Sequence, residues 1–294
     1  MTAPTAEPTV AVVTPARDEE RHIASTIASV VGQSHRPVAW VVVDDRSTDR
    51  TAEVVERAIA DVPWITLIRR TGGVEDGFAS KVHAFRAGLA ALDGVDHELV
   101  ANLDADVSLP PDYFDRLTAA FAADPGLGVA GGRIAVEVDG HVEQRRTSAD
   151  AVAGAVQCFR RTCFEEIGGI PALRRGGEDA AAQITARAKG WTVRTLDDLE
   201  VIHHGPVLNR HRSALRAFWS RGIVNRGLGY DPLFQALAAA YRGADRPYVI
   251  GGAALLGGYA WAAARREPRS LPDDVVDALR REQRARVRSS LRRG

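Results

Sequence analysis

The stretch Leu99-Val-Ala-Asn-Leu-Asp-Ala-Asp-Val-Ser108 decides how the chain is read. Leu99 to Leu103 carries no charge and predicts a short strand buried on both faces. It stops at two carboxylates, Asp104 and Asp106, on either side of Ala105, and Pro110-Pro111 prevents the strand from running on. An acid at the C-terminal end of a buried parallel strand stands at the sheet edge where open α/β proteins hold their ligands. Two carboxylates one residue apart at that edge offer hard oxygen ligands for Mg²⁺ or Mn²⁺, and such an ion usually carries a phosphate. The plain alternative is a polar loop with a turn-forming Asp, so the rest of the chain has to decide.

Upstream, three more strand–helix units precede this stretch. Val10–Thr14 is apolar and β-branched, and Asp18-Glu19-Glu20 opens a helix with Ile23, Ile27, Val30 and Val31 on one face. Val38–Val43 predicts a second strand ending at Asp44-Asp45. Ser47-Thr48-Asp49 then caps a helix carrying Val54, Val55, Ala58 and Ile59. Trp64–Ile68 is a third strand. A Thr71-Gly72-Gly73 loop leads to a helix from about Ser80 to Leu92. Apolar strands alternating with amphipathic helices predict an α/β fold, a Rossmann-like, mostly parallel central sheet flanked by helices. Right-handed crossovers put every strand's carboxyl end on one edge, where the loops 15–19, 44–46, 72–81 and 104–106 converge.

Downstream the pattern loosens. Asp112–Ala123 predicts a helix and Leu127–Ala135 a strand interrupted by glycines. Glu137–Arg146 reads as a polar loop or ribbon. Ala149–Ile167 is mixed in character. Gly176-Gly177-Glu178-Asp179 starts a helix that ends at Gly190, and Trp191–Thr195 and Leu199–His203 predict two short strands. From Leu215 onward the chain reads as helical. Tyr248–Ala264 holds seventeen uncharged residues, four of them glycine, short of the ~20 apolar residues of a spanning helix. A packed core helix, an interfacial helix with peripheral membrane contact through 246–266, and a true span all stay open for it. The tail from Arg265 to Gly294 has ten arginines against five acids, which suits an anionic membrane surface or a solvated helix face.

The division expected is a disordered leader over 1–8, a catalytic domain over 9–205 and a helical region over 206–294. The length allows a sizeable core, and a net charge of zero removes any global field for nucleic acid. Two cysteines, Cys158 and Cys163, are too few for a zinc site or a disulfide framework. The first residues lack the basic start and apolar core of a signal peptide, so the chain reads as cytoplasmic, with the inner face of the cell membrane as the alternative setting.

Several side chains offer chemistry at the predicted edge. Asp44 and Asp45 can accept from a uracil N3–H or a ribose hydroxyl, or merely open a helix. Lys81, one of two lysines, can reach a phosphate or a base carbonyl, or be a solvated helix-start residue. Glu178-Asp179 can supply a general base, with two glycines before it that admit a close approach, or can simply favour a helix N-terminus. His203 or His204 can complete a metal site beside two aspartates. Between Val201 and Tyr230 there is no acid but five arginines, with Arg210 and Arg212 placed to meet a diphosphate or a phosphorylated acceptor. There is no G-x-x-x-x-G-K-[ST] phosphate-binding loop, no G-x-G-x-x-G after the first strand, and no G-x-S-x-G elbow.

Taken in order, these residues resemble the signatures of family 2 glycosyltransferases with the GT-A fold. The matching stretches are Thr14-Pro15-Ala-Arg17-Asp-Glu19-Glu20, Asp44-Asp45-Arg-Ser-Thr-Asp49, Lys81, Asp104-Ala105-Asp106, Phe159 to Gly169, and Gly177-Glu178-Asp179. The resemblance covers about residues 9–205. It implies a donor half over 9–108, in which Thr14, Pro15, Arg17, Glu19, Asp44, Asp45, Lys81, Asp104 and Ala105 bind the nucleotide sugar, and an acceptor half over 109–205. It implies Mn²⁺ or Mg²⁺ held by Asp106 with Asp104 and His203 or His204, and Asp179 as base of an inverting transfer, with Glu178 as its substitute. Arg17 stands where many members have Asn, and Arg46 where Gly is common. The chain lacks the Q-x-x-R-W signature of processive synthases. Trp219-Ser-Arg221-Gly222 resembles the pattern of single-addition enzymes.

The function expected is therefore a metal-dependent inverting transfer of one sugar, from a UDP-sugar first of all. Its acceptor is an unidentified hydroxyl or phosphate on a lipid-linked, glycan or small-molecule partner. A nucleotidyltransferase would want a G-x-G-T-R-like loop after the first strand, which Thr14-Pro15-Ala-Arg17 is not. A non-catalytic sugar-nucleotide-binding protein would not need Asp104, Asp106 and Asp179 together.

Overall fold

A computed structural model describes residues 7–72, 78–138, 141–144, 150–204, 212–242 and 249–292. It divides into two compact units, one of residues 1–174 and 178–205 and one of residues 175–177 and 206–294. Six residues of the expected leader lie outside the described part. Of the other two, Pro8 is buried and the exposed Glu7 carboxylate lies 3.0 Å from His35 Nδ1.

The first unit begins with β1 (Val10–Ala16), α1 (Ile23–Val31), β2 (Ala39–Asp45), α2 (Thr51–Ala58), β3 (Ile65–Arg70), α3 (Phe78–Ala90) and β4 (Leu99–Leu103). It continues with β5 (Val107–Ser108), α4 (Tyr113–Ala123), β6 (Leu127–Val138), β7 (His141–Gln144), β8 (Val156–Arg160), α5 (Arg161–Glu166), α6 (Glu178–Ala188) and β9 (Thr192–His203). The sheet order is β3-β2-β1-β4-β8-β6-β9-β5, with β7 paired to β6 off that path. β3, β2, β1 and β4 are parallel, as the alternation of strands and helices predicts.

Period-two alternation divides the core between the two faces of this sheet. Val10, Val12, Trp40, Val42, Leu99 and Leu103 pack with residues of α1, α2 and α4. Ala11, Val13, Val41, Val43 and Val100 pack with Val82 and Phe85 of α3 and Cys163 of α5. A strand with both faces covered has no room for charge until it ends, and on β2 and β4 the first acids come at Asp44 and Asp104.

The second half departs from a parallel sheet. β8 runs antiparallel to both β4 and β6, while β6 and β9 are parallel to each other. The two short strands expected at 191–195 and 199–203 are one strand, β9, whose pairing with β6 shifts register between Gly132 and Arg133. The glycines that interrupt β6 mark close backbone approach. A Cβ at Gly131 would lie 2.2 Å from the Val156 carbonyl oxygen, and one at Gly132 would lie 2.4 Å from that of Leu199. Part of the polar 137–146 segment pairs as a ribbon, β7 against the end of β6.

The second unit contains α7 (Arg212–Gly227), α8 (Pro232–Arg242), α9 (Val249–Ala264) and α10 (Asp273–Leu291). Gly257 and Gly258 of the long uncharged segment are contact points with α7. A Cβ at Gly258 of α9 would lie 2.1 Å from the Trp219 carbonyl oxygen of α7, and one at Gly222 of α7 would lie 2.1 Å from that of Leu255. Leu255, Tyr259 and Ala262 are buried, so α9 is a packed helix on that side. Among the described residues no helix is long and apolar enough to cross a membrane.

Gly132→Ala should lower the unfolding free energy by about 2 kcal/mol, because the new methyl meets a backbone carbonyl that cannot yield cheaply. Urea denaturation checks this; an unchanged midpoint would mean that β6 and β9 are not packed this closely.

Candidate active site

The carboxyl ends of β1, β2 and β4 open onto a cleft of about 410 Å³. Pro15, Ala16, Arg17 and Glu19 line it from the end of β1, Asp45 from β2, Ser80 and Lys81 from α3, and Asp104, Ala105 and Asp106 from the turn after β4. Ala105 is buried, and its carbonyl accepts from the Thr26 hydroxyl of α1 at 2.7 Å. That bond pins the middle of the turn and turns the two flanking carboxylates toward the cleft.

Asp104, Asp106 and His203 each offer a ligand atom within 4.8 Å of the others. The pairing that permits this is local. β5 runs antiparallel to the end of β9, with Val107 opposite His203 and Ser108 opposite Ile202. His203 Nε2 thereby lies 3.5 Å from Asp106 Oδ2. His204 points elsewhere: its Nε2 is 2.7 Å from Ser108 Oγ and its ring stacks on His22 at 5.9 Å. Two carboxylates and one imidazole suit a divalent cation that prefers oxygen ligands and tolerates nitrogen, and Mn²⁺ meets both terms.

Lys81 Nζ donates to Asp104 Oδ1 at 2.5 Å. Burial alone would lower the ammonium's pKa, but the Asp104 charge and hydrogen bond outweigh it, and Lys81 is held charged above its ordinary value. Asp45 is buried within a cationic clasp. Arg70 donates to Oδ1 at 2.7 Å, Arg46 to the same oxygen at 3.2 Å, and Ser80 to Oδ2 at 2.5 Å. Arg46 adopts a left-handed backbone with φ 60°, where glycine is at ease and other residues pay strain. Its side-chain bonds to Asp45 and Ser80 offset that cost.

Glu19 faces the acid pair. Burial first, then repulsion from Asp106 and Asp104, raises its pKa from 4.5 to about 7. The Glu178 pKa is also raised from its ordinary value, by burial first and by the charges of Asp179 and Asp104, against its own backbone hydrogen bond and the pull of Lys81. Glu178 Oε2 is buried and has no hydrogen-bond partner among the described residues. Asp179, at the start of α6, accepts the Ala180 N–H at 2.7 Å. Its position is held from behind. A Cβ at Gly154 would come within 2.9 Å of Asp179 Oδ2, and the Gly154 carbonyl is bonded by Asn102 of β4 at 2.8 Å.

The structure does not bring every predicted residue to the cleft. Thr14 is fully buried, and its hydroxyl accepts from the Trp40 indole at 2.9 Å. Asp44, one residue from Asp45 on a strand, faces the other side of the sheet, where its Oδ1 is buried with no hydrogen-bond partner among the described residues. Arg210 lies outside the described residues, and of Arg212 only its place at the start of α7 is described. Ser80 and Arg70 were missed. Arg70 had a signal: it ends β3 beside Asp45 in parallel register, so the strand-end rule applied to β3 points to it.

A family model described as Glycosyl transferase family 2 matches residues 11–178. A beta-monoglucosyldiacylglycerol synthase of Synechocystis sp. is 28% identical over 198 residues, 66% of this chain and 39% of that protein. An uncharacterized glycosyltransferase of Nostoc sp. is 34% identical over 110 residues, 37% of this chain and 31% of that protein. The chain thus spans about two fifths or less of the curated relatives it matches. Among solved structures, a mannosyltransferase from Pyrobaculum calidifontis in complex with GDP-Man and Mn²⁺ superposes with a TM-score of 0.57. It is 23% identical, with 94% of this chain and 79% of that one covered. TarS of S. aureus in complex with UDP-GlcNAc gives a TM-score of 0.53 at 16% identity, with 73% and 64% covered. These likenesses establish a shared fold, the GT-A architecture.

The raised pKa of Glu19 has a sign that can be measured on metal-free protein. Below about pH 4.5 the group is protonated whether the chain is folded or not; as pH rises to about 7 only the unfolded chain releases the proton, and stability falls. Glu19→Gln should therefore be more stable than the parent by on the order of 2 kcal/mol near pH 8, after allowance for solvent, and equal to it near pH 4. Denaturation in EDTA at the two pH values checks this, and an equal gain at both would show that charge is not the cause.

Proposed function

The chain belongs to glycosyl transferase family 2, and from that premise we propose that it moves one sugar from a nucleotide-diphosphate sugar to an acceptor hydroxyl with inversion at the anomeric carbon. The observation that carries this reading is the convergence of Asp104, Asp106 and His203 at the mouth of a cleft of about 410 Å³. A divalent cation bound by these three would neutralise charge on the departing nucleoside diphosphate.

The chain's own residues divide the remaining work. Asp45, fixed by Arg70, Arg46 and Ser80, presents a carboxylate with lone pairs for a uracil N3–H, which puts UDP-sugars first among donors. Arg17 and Lys81 stand at the cleft to meet the diphosphate. Lys81 also donates to Asp104, whose carboxylate stands beside Asp106. Asp179 takes the proton from the acceptor hydroxyl as its oxygen bonds to the anomeric carbon; the bond from that carbon to the phosphate oxygen breaks, and the nucleoside diphosphate leaves with the electron pair. Glu178, beside Asp179 at the start of α6, is the substitute candidate for base. The acceptor remains open between lipid, glycan and small molecule. Diacylglycerol joins the panel because one relative is named for a glucosyldiacylglycerol product.

Incubation with Mn²⁺ and a panel of nucleotide sugars and acceptors, followed by release of nucleoside diphosphate, tests the reading. Asp106→Ala should abolish the thermal shift that Mn²⁺ and donor produce together, and lower kcat/KM by about a thousandfold. Asp179→Asn should keep donor affinity and lower kcat by about 10²–10⁴-fold. Turnover that survives in Asp179→Asn would remove Asp179 as the base, and a metal-independent shift in Asp106→Ala would remove the cation from donor binding.

A further inference from the structure

A net charge of zero hides a division within the chain. Residues 206–294 carry seventeen arginines against seven acids, so residues 1–205 carry the matching excess of acid. Within the second unit, Asp231, Glu267, Asp273 and Glu282 already have arginine partners in Arg284, Arg175, Arg269 and Arg286. The positive excess is therefore carried by arginines beyond these pairs. Arg216 and Arg221 are exposed on α7, and Arg265 and Arg266 are exposed just after α9.

Against this basic background, α8 presents a face without charge. Pro232, Leu233, Ala236, Leu237, Ala240 and Tyr241 are all exposed, at the spacing of one broad helix face. Leu233 is 60% exposed and Tyr241 77%. The opposite side of α8 is anchored. Asp231 caps it by accepting the Leu233 N–H at 2.9 Å and is itself held by Arg284 at 2.8 Å; Asn225 donates to Gln235 at 2.9 Å. The exposed face is thus a fixed feature of a docked helix. α9, which packs on α8, adds a second uncharged stripe of Ile250, Ala253, Leu256, Ala260 and Ala264. Ile250 is 61% exposed.

We propose that the outer face of α8, with its neighbour on α9, docks the second unit onto an anionic lipid surface. A fixed helix face of leucine and tyrosine, on a unit with excess arginine, has the chemistry of an interfacial helix. Apolar side chains enter the acyl boundary while arginines meet anionic headgroups. Two alternatives fit less well. A second copy of the chain would bring two strongly basic units together. A nucleic acid would use the arginines and leave Leu233, Leu237 and Tyr241 without a role. Spanning is not involved, since α8 has only eleven residues. The inference is independent of the sugar-transfer reading and stands or falls without it.

The test uses the full chain in co-sedimentation with vesicles of phosphatidylcholine alone and of phosphatidylcholine with phosphatidylglycerol. The parent protein should bind the anionic vesicles at least about tenfold more tightly than the neutral ones, and lose that preference in high salt. Leu233→Ser/Leu237→Ser/Tyr241→Ser should weaken binding to anionic vesicles by about tenfold or more, with an unchanged melting curve because all three sites are exposed. Arg265→Gln/Arg266→Gln should reduce the anionic preference and leave the apolar contact. Failure to bind anionic vesicles would overturn the proposal, and so would binding that the triple serine variant leaves intact. Sedimentation velocity supplies a third check: a dimer that the triple serine variant dissolves would assign the face to self-association instead.

Discussion

Two residues of strand pairing hold the candidate site together. Val107 and Ser108 form β5 only because they lie antiparallel to Ile202 and His203 at the end of β9. The contact is extended by backbone bonds, from the His204 N–H to the Asp106 carbonyl at 2.7 Å and from the Asp104 N–H to the Ala155 carbonyl at 2.9 Å. Residues nearly a hundred positions apart in sequence thus become neighbours across one turn. Without this pairing the two aspartates would sit on a loop free to face solvent, and the histidine would end an unrelated strand.

Electrostatics explains why such a cluster needs its surroundings. Asp104, Asp106, Glu19, Glu178 and Asp179 crowd carboxylates into one edge of the sheet, and burial together with their repulsion raises the pKa of Glu19 and Glu178. Lys81 offsets part of it at Asp104, while Arg46 and Arg70 answer Asp45 separately. A site with this excess of buried negative charge is suited to a cation, and a cation there would relieve the repulsion that the protein alone leaves in place.

Much of the fold was legible because its first half obeys simple periodicity. Leu99–Leu103 reads as a strand and is one, and the units before it follow the β-α alternation within a residue or two at most ends. Legibility failed where the determinant was not periodic. The antiparallel β8 has no local mark that distinguishes it from a parallel strand, and the glycines of β6 read as interruptions although they permit close contact with β8 and β9. In the site, Asp45 and Asp104 follow from the rule that strand ends carry ligand groups. The same rule overcounts at Asp44 and Thr14, whose side chains alternate away from the cleft. Choosing between His203 and His204 needs the β5–β9 register, which no short-range pattern carries. The glycine-rich segment at 248–264 was ambiguous because close helix packing and membrane contact favour the same small, uncharged residues.

The most direct measurement is an anomalous difference map at the manganese edge from crystals grown with Mn²⁺ and UDP. A peak within coordination distance of the Asp106 carboxylate and His203 Nε2, with the diphosphate beside it, is the result that this site geometry predicts. A manganese peak at His204 or at the surface group of Glu7, His35 and Asp115, with none beside Asp106, would contradict it.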